Sequence, residues 1–419
     1  MKTVIMAGGK GTRLASISGD IPKPMVPICG KPILKHQIEC LVKNDLPDIV
    51  IVVGHLGRQI VDYFGDGGNF GCKISYFIET DPLGTAGALY KIEKLTGDFI
   101  LLNGDIIFDI DLNRMITFHK EKKALATLAV HPNNHPFDSA LILTDNNYQV
   151  TGWLNKEDER VFYRNQVNSG IHIISSELMK CAVQSKEKID LDRDMLKPSI
   201  QTNRIFAYST PEYIKDMGTP ERYAQVSAEI ENGIVKSKNL MLKQKAVFLD
   251  RDGTINKFNG FVKKPEDLEL LEGASEAIKK INSLGFLAIV ITNQPVIARG
   301  EVDFKTLDLI HMKMETDLGK KGAYIDALFY CPHHSDKGYA GELPEYKIEC
   351  ECRKPKPGMI LQAAEKYNID LSKSYMVGDD MRDVQAGINA GCIPVLLTDK
   401  DIFENIIHFK NLKEFGDSL

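Results

Sequence analysis

Short apolar runs alternate with amphipathic helical patterns along most of the chain. Two of these runs, at residues 3–6 and 246–249, each begin the same order of apolar strand, glycine- or aspartate-containing turn and helix. Strands that alternate with helices predict a mostly parallel sheet covered on both faces. Because the order begins twice, the sequence predicts an α/β protein with two domains.

The boundary between these domains is predicted near residue 240. A helical pattern over Pro220–Glu231 ends at Asn232-Gly233, and a lysine-rich stretch follows, which is more typical of a solvated linker than of a binding patch. We therefore predict two domains and a linker, over residues 1–235, 245–419 and 236–244 respectively.

Composition restricts the class of protein. The 419 residues are 43% hydrophobic and 26% charged, which is enough for complete cores without disulfides. No apolar run reaches the roughly 20 residues of a membrane span, and the first residues begin a strand instead of a signal peptide. A formal net charge of −5 argues against nucleic acid or an anionic membrane as partner. We expect a cytoplasmic protein. The sequence leaves open whether it is a monomer or an oligomer.

The most informative motif follows the strand at residues 246–249. Asp250 and Asp252 stand at its end, followed by the turn residue Gly253. Side chains of an extended segment alternate, so both carboxylates are expected on the same side. Such a pair can supply a nucleophile, a proton-transfer group and Mg²⁺ ligands. Taken alone, the motif is equally consistent with a solvated turn.

Three later segments add the remaining groups of a phosphoryl-transfer site. One apolar strand ends in Thr292 and Asn293, a cationic segment contains Arg353 and Lys354, and another apolar strand ends at Asp379. A nucleophile, a hydroxyl, a lysine and metal-binding carboxylates are together what forming and hydrolysing an aspartyl phosphate requires.

This set resembles the haloacid dehalogenase phosphatase superfamily, which implies a Rossmann-like parallel sheet for the second domain. The resemblance implies that Asp250 is the nucleophile and Asp252 the general acid/base. It further implies that Thr292 and Lys354, with Asn293 beside them, hold the phosphoryl group. Mg²⁺ would be bound by three groups, namely Asp250, the backbone carbonyl of Asp252, and Asp379.

Cysteine and histidine residues cluster between these motifs. Cys331 and His333 are separated by a loop from Cys350 and Cys352, a spacing that favours a tetrahedral Zn²⁺ site. Four protein ligands leave no open position, so the zinc is expected to be structural. His334 is the alternative to His333. Because the last cysteine directly precedes the cationic segment, the zinc loop is expected to orient that segment.

The zinc loop and the segments at residues 260–263 and 297–300 narrow the resemblance to the D-glycero-D-manno-heptose 1,7-bisphosphate phosphatases. That family implies that Arg353, with help from Arg299, recognises the substrate. Histidinol-phosphate phosphatases share much of the pattern and are the near alternative. Asp383 is left open between a metal ligand and a helix N-terminal charge.

The first domain begins with a glycine-rich segment after its first strand, which contains Gly8, Gly9, Gly11, Thr12 and Arg13. Glycines allow backbone N–H groups to close around phosphate oxygens, and the arginine neutralises their charge. The spacing fits neither the P-loop nor the dinucleotide fingerprint, and a tight strand-helix turn explains it equally well.

Later segments of this domain fall where α/β ligand loops lie. Lys23 stands between two prolines, a glycine-rich loop contains Gly87, and Asp105 ends an apolar strand. With Asp216, the pattern resembles the sugar-1-phosphate nucleotidyltransferases, a Rossmann-like, GT-A-like fold with a mixed sheet. The resemblance implies that Lys23 binds phosphate, that Asp105 and Asp216 hold Mg²⁺, and that the Gly87 loop contacts base and sugar.

The same resemblance implies that Lys156 and Asn168 contact the sugar. Lys156 departs from the commoner glutamate-lysine-proline setting, because Asn155 precedes it and Glu157 follows it. Within the family, the pattern looks closest to guanylyltransferases of manno-configured sugar or heptose 1-phosphates.

Together, the two resemblances imply a bifunctional enzyme that acts on heptose phosphates and GTP and uses Mg²⁺ in both domains. The second domain would remove the 7-phosphate, and the first would join the heptose 1-phosphate to GMP. Three alternatives are kept. Two are a mannose-1-phosphate guanylyltransferase fused to a histidinol-phosphate-like phosphatase, and a non-catalytic sugar-nucleotide sensor that regulates the phosphatase. The third, nucleic-acid binding through the zinc loop, is disfavoured by the acidic net charge and the missing basic stripe.

Overall fold

The computed structural model describes residues 1–9, 19–181, 188–400 and 406–419. The chain forms two compact units. The first consists of Met1–His131, Ala140–Asn155 and Gln166–Asn239. The second consists of Pro132–Ser139, Lys156–Asn165 and Leu240–Leu419. The domain boundaries drawn from the sequence stay predictions, and two stretches inside the predicted first domain group with the second unit.

A mixed sheet forms the centre of the first unit. Lys2–Met6 pairs in parallel with Asp48–Val53 on one side and with Asp98–Asn103 on the other. Val167–Ser175 runs antiparallel to Asp98–Asn103, which confirms the expected mixed sheet. The other described strands of this sheet are Lys73–Ile78, Ala126–His131, Leu141–Thr144, Val150–Leu154 and Ile205–Ser209.

Both faces of this sheet are buried. Side chains alternate along the central strand, so Val4 packs in one apolar cluster and Ile5 in another. A strand buried on both faces is apolar throughout, which is why residues 3–6 show no polar alternation. The described helices of the unit are Ile33–Lys43, Gly57–Phe64, Leu112–Glu121, Ser176–Cys181, the π-helix Leu191–Leu196, Lys197–Ser199, Pro220–Glu231 and Ile234–Ser237.

Short elements complete the first unit. Ile106–Asp109 pairs antiparallel with Tyr213–Asp216, and Pro27–Ile28 pairs with Lys31–Pro32. The 3₁₀ turns are Lys23–Met25, Gly68–Phe70, Gly87–Tyr90 and Ile200–Thr202.

A parallel sheet forms the centre of the second unit, as predicted. In spatial order, its strands are Ala327–Cys331, Leu287–Asn293, Ala246–Leu249, Tyr375–Gly378, Ile393–Leu397 and Ile407–Phe409. The described helices are Ala274–Ser283, Phe304–Lys320, Gly358–Tyr367, Met381–Ala390 and Leu412–Ser418, and the 3₁₀ turns are Pro136–Asp138, Pro265–Asp267, Pro344–Tyr346 and Leu371–Lys373. No helix among the described residues is long and apolar enough to cross a membrane.

The helix Phe304–Lys320 explains why residues 156–165 group with the second unit. Arg164 on that stretch forms an ion pair with Asp308 and another with Glu315, the latter at 2.6 Å. The backbone N–H of Asn165 donates to Glu315 at 2.8 Å. A half-buried guanidinium with two carboxylate partners fixes this stretch on the helix.

The expectation of a solvated linker is wrong for Lys238, Asn239 and Leu240, which are buried. The Asn239 side chain donates to Asp109 at 2.6 Å, and Leu240 packs in an apolar cluster of the second unit. Composition alone does not reveal these partners, because they lie far away in the sequence.

Candidate active sites

The predicted phosphate-chemistry residues of the second unit follow three neighbouring strands. Asp250 comes after Ala246–Leu249, Thr292 lies at the end of Leu287–Asn293, and Asp379 comes after Tyr375–Gly378. These strands are parallel neighbours, so their carboxyl ends meet at one edge of the sheet. A cleft of about 220 Å³ lies there, and all three residues line it.

Asp250 is held by two donors. Its Oδ1 accepts a hydrogen bond from the Arg251 backbone N–H at 2.7 Å and lies 2.7 Å from the Lys354 Nζ. The same Nζ lies 2.6 Å from Asp383, so one buried lysine is shared by two carboxylates. Burial, with the neighbouring charge of Asp383, raises the pKa of Asp250 to about 6.

Three carboxylates converge beside this lysine. Asp250, Asp379 and Asp383 each offer an oxygen within 4.8 Å of the others. Burial and the charge of Asp250 raise the pKa of Asp379 to about 6. Gly253 has φ +86°, and a Cβ there would lie 2.1 Å from Asp379, so only glycine allows this approach. Hard oxygen donors that repel one another fit a divalent cation such as Mg²⁺.

The structure also places the residues around the acids. Asp383 accepts from the backbone N–H of Asp380 at 3.2 Å and completes a capping box, so it acts as a helix N-terminal charge as well as a member of the acidic cluster. The Asp252 side chain accepts from Arg251 and Gln294. The metal-binding role of the Asp252 carbonyl stays a prediction.

The Asn293 side chain makes two hydrogen bonds to the backbone of Lys354 that the sequence did not indicate. It accepts from the Lys354 N–H at 3.0 Å and donates to the Lys354 carbonyl at 3.1 Å. Asn293 also lines the cleft, and its two bonds fix the backbone of Lys354.

Cationic and aromatic side chains also line the cleft. The Arg299 guanidinium lies 4.7 Å from the Phe261 ring centre and 4.4 Å from that of Tyr339. Arg353 also lines the cleft and donates to the carbonyl of His333 at 3.1 Å. Stacking and this hydrogen bond hold both guanidinium groups in place before any ligand binds.

The cysteine cluster has the dimensions of a tetrahedral metal site. The Sγ atoms of Cys331, Cys350 and Cys352 lie 3.3 to 3.5 Å apart, and His333 Nδ1 lies 3.4 and 3.6 Å from two of them. Three thiolates about 2.3 Å and an imidazole nitrogen about 2.0–2.1 Å from one Zn²⁺ ion lie at comparable spacings from one another. His334 instead places its Nε2 3.1 Å from Arg299, so His333 is the histidine of the cluster.

The first unit brings Asp105 and Asp216 together. The Met217 N–H donates to the Asp105 carbonyl at 2.9 Å, and Asp216 pairs in register with Ile106. Asp105 lies 2.5 Å from the Nζ of Lys23. Two carboxylates beside a lysine fit Mg²⁺ and phosphate.

Arg222 is a partner of Asp216 that the sequence analysis missed. Its Nη1 donates to Asp216 at 2.6 Å. Burial opposes ionisation of Asp216, but this guanidinium outweighs it and lowers the pKa of the carboxyl. In the sequence, Arg222 is marked only by its position in the first turn of a helix capped by Thr219, which does not indicate a bond to Asp216.

Gly8 and Gly9 of the glycine-rich segment lie within the described residues, and Gly11, Thr12 and Arg13 lie outside them. A Cβ on Gly8 would lie 2.6 Å from Oε2 of Glu79, whereas a Cβ on Gly9 would have no atom of the described residues within 4 Å. Burial raises the pKa of Glu79, a residue that the sequence analysis did not single out. The glycine at position 8 therefore leaves room for a carboxylate beside the loop.

The predicted sugar-side residues lie in different environments. Gly87 is buried at the start of Gly87–Tyr90, and Asn168 is half-buried in Val167–Ser175. Lys156 lies in the stretch that groups with the second unit, where its side chain is exposed and 3.6 Å from Glu157. The sugar contacts of all three stay predictions.

Two family models and a set of relatives match this chain. The nucleotidyl transferase family matches residues 2–233, and a haloacid dehalogenase-like hydrolase family matches residues 351–402. The D-glycero-beta-D-manno-heptose-1,7-bisphosphate 7-phosphatase of Yersinia pestis is 40% identical over 145 residues, which are 35% of this chain and 75% of that protein. The enzyme of the same name from Escherichia coli K12 is 38% identical over 159 residues, which are 38% of this chain and 81% of that protein.

The chain belongs to the nucleotidyl transferase and heptose-bisphosphate phosphatase families. It is therefore an enzyme with a transferase unit and a phosphatase unit. HddC from Yersinia pseudotuberculosis, a solved structure, is 29% identical and covers 55% of this chain and 99% of its own, with a TM-score of 0.48.

The transferase match spans the first-unit residues singled out from the sequence, but the hydrolase match begins after Asp250, Asp252 and Thr292. The transferase match includes Lys23, Asp105 and Asp216, and the hydrolase match includes Lys354 and Asp379. Residues without a motif of their own were missed in both units: Glu79, Arg222, Arg251 and Gln294.

Proposed function

We propose that the chain is a bifunctional enzyme of nucleotide-activated heptose synthesis. The phosphatase unit removes the 7-phosphate of D-glycero-D-manno-heptose 1,7-bisphosphate. The transferase unit joins the remaining heptose 1-phosphate to GMP from GTP and releases pyrophosphate. The observation that carries the proposal is the buried Lys354 between Asp250 and Asp383, beside Asp379, in a unit whose relatives are heptose-bisphosphate phosphatases.

The phosphatase reaction begins with attack of an Asp250 carboxylate oxygen on the phosphorus of the 7-phosphate. The bond from phosphorus to the C7 oxygen breaks, and Asp252 gives a proton to that oxygen. Lys354 and the Thr292 hydroxyl hold the phosphoryl oxygens. Water then attacks phosphorus of the aspartyl phosphate, Asp252 takes its proton, and phosphate leaves Asp250. Mg²⁺, when bound by Asp250 and Asp379, supplies neutralisation of phosphoryl charge.

Two arginines that line the cleft support a substrate with a second phosphate. Arg299 and Arg353 are already fixed by aromatic rings and by the His333 carbonyl. Guanidinium groups bind phosphate through paired N–H donors, and preorganised ones lose little entropy on binding. We assign the 1-phosphate of the bisphosphate to these two arginines.

The transferase reaction is attack of a sugar 1-phosphate oxygen on the α-phosphorus of the nucleotide, and the bond to pyrophosphate breaks. The protein does little covalent chemistry in such a step, so positioning and charge neutralisation supply most of the acceleration. Lys23, together with Arg13 outside the described residues, would hold the phosphates. Mg²⁺, when bound by Asp105 and Asp216, supplies further neutralisation.

Glu79 supports guanine as the base. Its carboxylate lies beside Gly8 at the start of the glycine-rich loop, and the Leu83 N–H donates to it at 3.4 Å. Guanine presents two neighbouring N–H donors on its pairing edge, which suit the two oxygens of a carboxylate. Uracil and thymine present one such N–H between two carbonyl oxygens, which a carboxylate repels.

The bisphosphate supplied with GTP and Mg²⁺ tests both activities at once. We expect orthophosphate first and pyrophosphate afterwards. Asp250→Asn should abolish both products from the bisphosphate, and heptose 1-phosphate should restore pyrophosphate release. A preference for histidinol phosphate or mannose 1-phosphate would replace the heptose assignment, and phosphatase activity without pyrophosphate from any sugar 1-phosphate would make the first unit a sensor.

Zinc in the cysteine cluster is proposed to be structural. The three thiols and His333 supply four ligands, which leaves no position for substrate. The Arg353 side chain bonds to the carbonyl of His333, so the metal loop would hold a substrate-binding arginine.

A further inference from the structure

The carboxylate of Asp252 is clamped by a buried arginine. The Nε of Arg251 donates to Oδ1 at 3.1 Å, and its Nη2 lies 2.9 Å from Oδ1 and 2.8 Å from Oδ2. The Arg251 side chain is fully buried. The Asn256 amide donates to Oδ1 at 2.9 Å, so the orientation of the carboxylate is fixed from two sides.

Gln294 joins this clamp to the phosphoryl-binding side of the cleft. Its Nε2 donates to Asp252 Oδ2 at 2.9 Å and to Thr292 Oγ1 at 3.0 Å. Its Oε1 accepts from the Nη2 of Arg251 at 3.1 Å. Gln294 is 1% exposed, so these bonds form away from water. One amide therefore connects the two side chains that would stand on either side of a reacting phosphoryl group.

This network also determines what Thr292 can do. A threonine hydroxyl has one proton to donate and two lone pairs to accept with. Because Gln294 donates to its oxygen, the Thr292 hydroxyl is left with its proton for another acceptor. An oxygen of a phosphoryl group in the cleft is such an acceptor.

Stability alone gives a weak reason for burying this arginine. Removing a guanidinium from water costs several kcal/mol, and buried ion pairs are often no more stabilising than apolar side chains of similar size. Among the described residues, the Nη1 of Arg251 also has no hydrogen-bond partner. The clamp is therefore better explained by the orientation that it gives Asp252.

We propose that Arg251 and Gln294 are positioning residues that fix Asp252 relative to Thr292, so that the proton-transfer group faces the oxygen leaving the bound phosphoryl group. The inference rests on the proposed phosphatase function. Asp252 enters this step protonated on Oδ2, in place of one of the bonds which that oxygen accepts, and gives the proton to the leaving oxygen as the phosphorus–oxygen bond breaks. In the second step, Asp252 takes a proton from the water that attacks the aspartyl phosphate.

Leaving-group dependence distinguishes positioning from general support of the fold. An alkoxide needs a proton as it leaves, whereas p-nitrophenolate leaves without one. In Arg251→Lys and Gln294→Leu, we expect kcat/KM for the heptose bisphosphate to fall about 10²-fold or more, the scale of general acid catalysis. For p-nitrophenyl phosphate, kcat/KM should change less than tenfold. A burst of p-nitrophenolate should also appear, because hydrolysis of the aspartyl phosphate still needs Asp252.

Ser374→Ala is the matched control for a buried polar change. Ser374 accepts from the Ala246 N–H at 3.0 Å and donates to the Asp370 carbonyl at 2.7 Å, at the strand end away from the cleft. It should lower thermal stability without changing the ratio of the two substrates. If Gln294→Leu does not fold, the test is made with Arg251→Lys. This variant keeps the positive charge but loses the paired N–H donors of the guanidinium.

Two outcomes separate this inference from the proposed function. An equal loss on both substrates in folded variants, without a burst, would show that the network is only structural and overturn the inference. Full activity of Asp250→Asn in the same assays would overturn the proposed aspartyl-phosphate reaction itself.

Discussion

The Nζ of Lys354 lies 2.7 Å from Asp250 and 2.6 Å from Asp383. Burial alone would lower the pKa of this lysine, but the two carboxylates outweigh burial and raise it. The three charges are therefore stable in the protein interior only as a group. The contact with Lys354 that offsets the burial of Asp250 would also position this carboxylate for the proposed attack on phosphorus.

Lys354→Met should inactivate the phosphatase and destabilise the second unit. Loss of one partner from a buried ion pair costs about 3–5 kcal/mol, and the phosphoryl group loses its cation. We expect at least a 100-fold fall in kcat/KM and a lower melting temperature. The double variant Lys354→Met/Asp383→Asn should recover part of the stability but not the activity.

Lys356→Met is the control for Lys354→Met, because Lys356 is exposed and pairs with the exposed Glu351. It should leave both activity and stability near those of the wild type. Wild-type turnover of the heptose bisphosphate by Lys354→Met would remove the lysine from the site.

Magnesium binding to the phosphatase unit should weaken in mild acid. Burial raises the pKa of both Asp250 and Asp379 to about 6, so protons compete with the metal below that pH. Below pH 6, we expect the Kd for Mg²⁺ to rise about tenfold per pH unit if binding releases one proton, and about 100-fold per pH unit if it releases two. Calorimetry at pH 5 and pH 7, in buffers of different ionisation enthalpy, measures both the Kd and the number of protons released. An unchanged Kd would contradict the carboxylate site.

The same shifts affect the stability of the metal-free protein. Because the folded-state pKa of Asp379 is raised above its usual value near 4, its stability contribution is complete below pH 4 and is lost as pH rises through 6. Asp379→Asn should therefore become more stable than the wild type as pH rises from 4 to 7 without metal. Chemical unfolding at several pH values measures this difference, and a constant difference would contradict the raised pKa.

The sequence predicted which residues lie at the carboxyl edge of the parallel sheet, but not all the contacts that they make there. Asp250, Thr292 and Asp379 could be placed together because each follows an apolar strand, and parallel strands share a carboxyl edge. The pairing of Lys354 with Asp383 could not, because the two residues lie 29 positions apart and a carboxylate in the first turn of a helix is an ordinary feature.

The first unit shows the same limit. Asp105 and Asp216 were found from motifs, whereas Glu79 and Arg222 belong to no motif, and only the structure shows Glu79 beside Gly8 and Arg222 bonded to Asp216. Asn293 was assigned by its position at a strand end, but only the structure shows that both of its polar atoms bond to the Lys354 backbone.

Loss of the zinc ligands should affect the phosphatase unit. Cys350→Ser leaves three ligands, and a structural zinc site normally needs four. We expect loss of bound zinc by elemental analysis, a lower melting temperature and reduced phosphatase activity, because the loop no longer holds Arg353. Cys29→Ser is the control, since Cys29 is an exposed thiol of the first unit. Full zinc content in Cys350→Ser would exclude this residue as a ligand.

Glu79→Gln should weaken selection for guanine. An amide supplies one acceptor oxygen and an NH₂ donor, so it cannot accept both guanine donors. A paired contact of this kind is worth about 1–3 kcal/mol, so we expect the preference for GTP over UTP to fall about 10- to 100-fold in kcat/KM. Glu93→Gln, at an exposed glutamate, should keep the wild-type preference. Unchanged selectivity in Glu79→Gln would place the base elsewhere.

Asp105→Ala should separate the two activities. Its carboxylate lies 2.5 Å from the Nζ of Lys23, so its loss would remove a proposed Mg²⁺ ligand and the ion-pair partner of Lys23. Pyrophosphate release from GTP and heptose 1-phosphate should fall by at least 100-fold, while release of orthophosphate from the bisphosphate persists. Asp62→Asn, at an exposed residue paired with Arg58, should keep both activities. If Asp105→Ala retains both as well, Asp105 is not part of the transferase site.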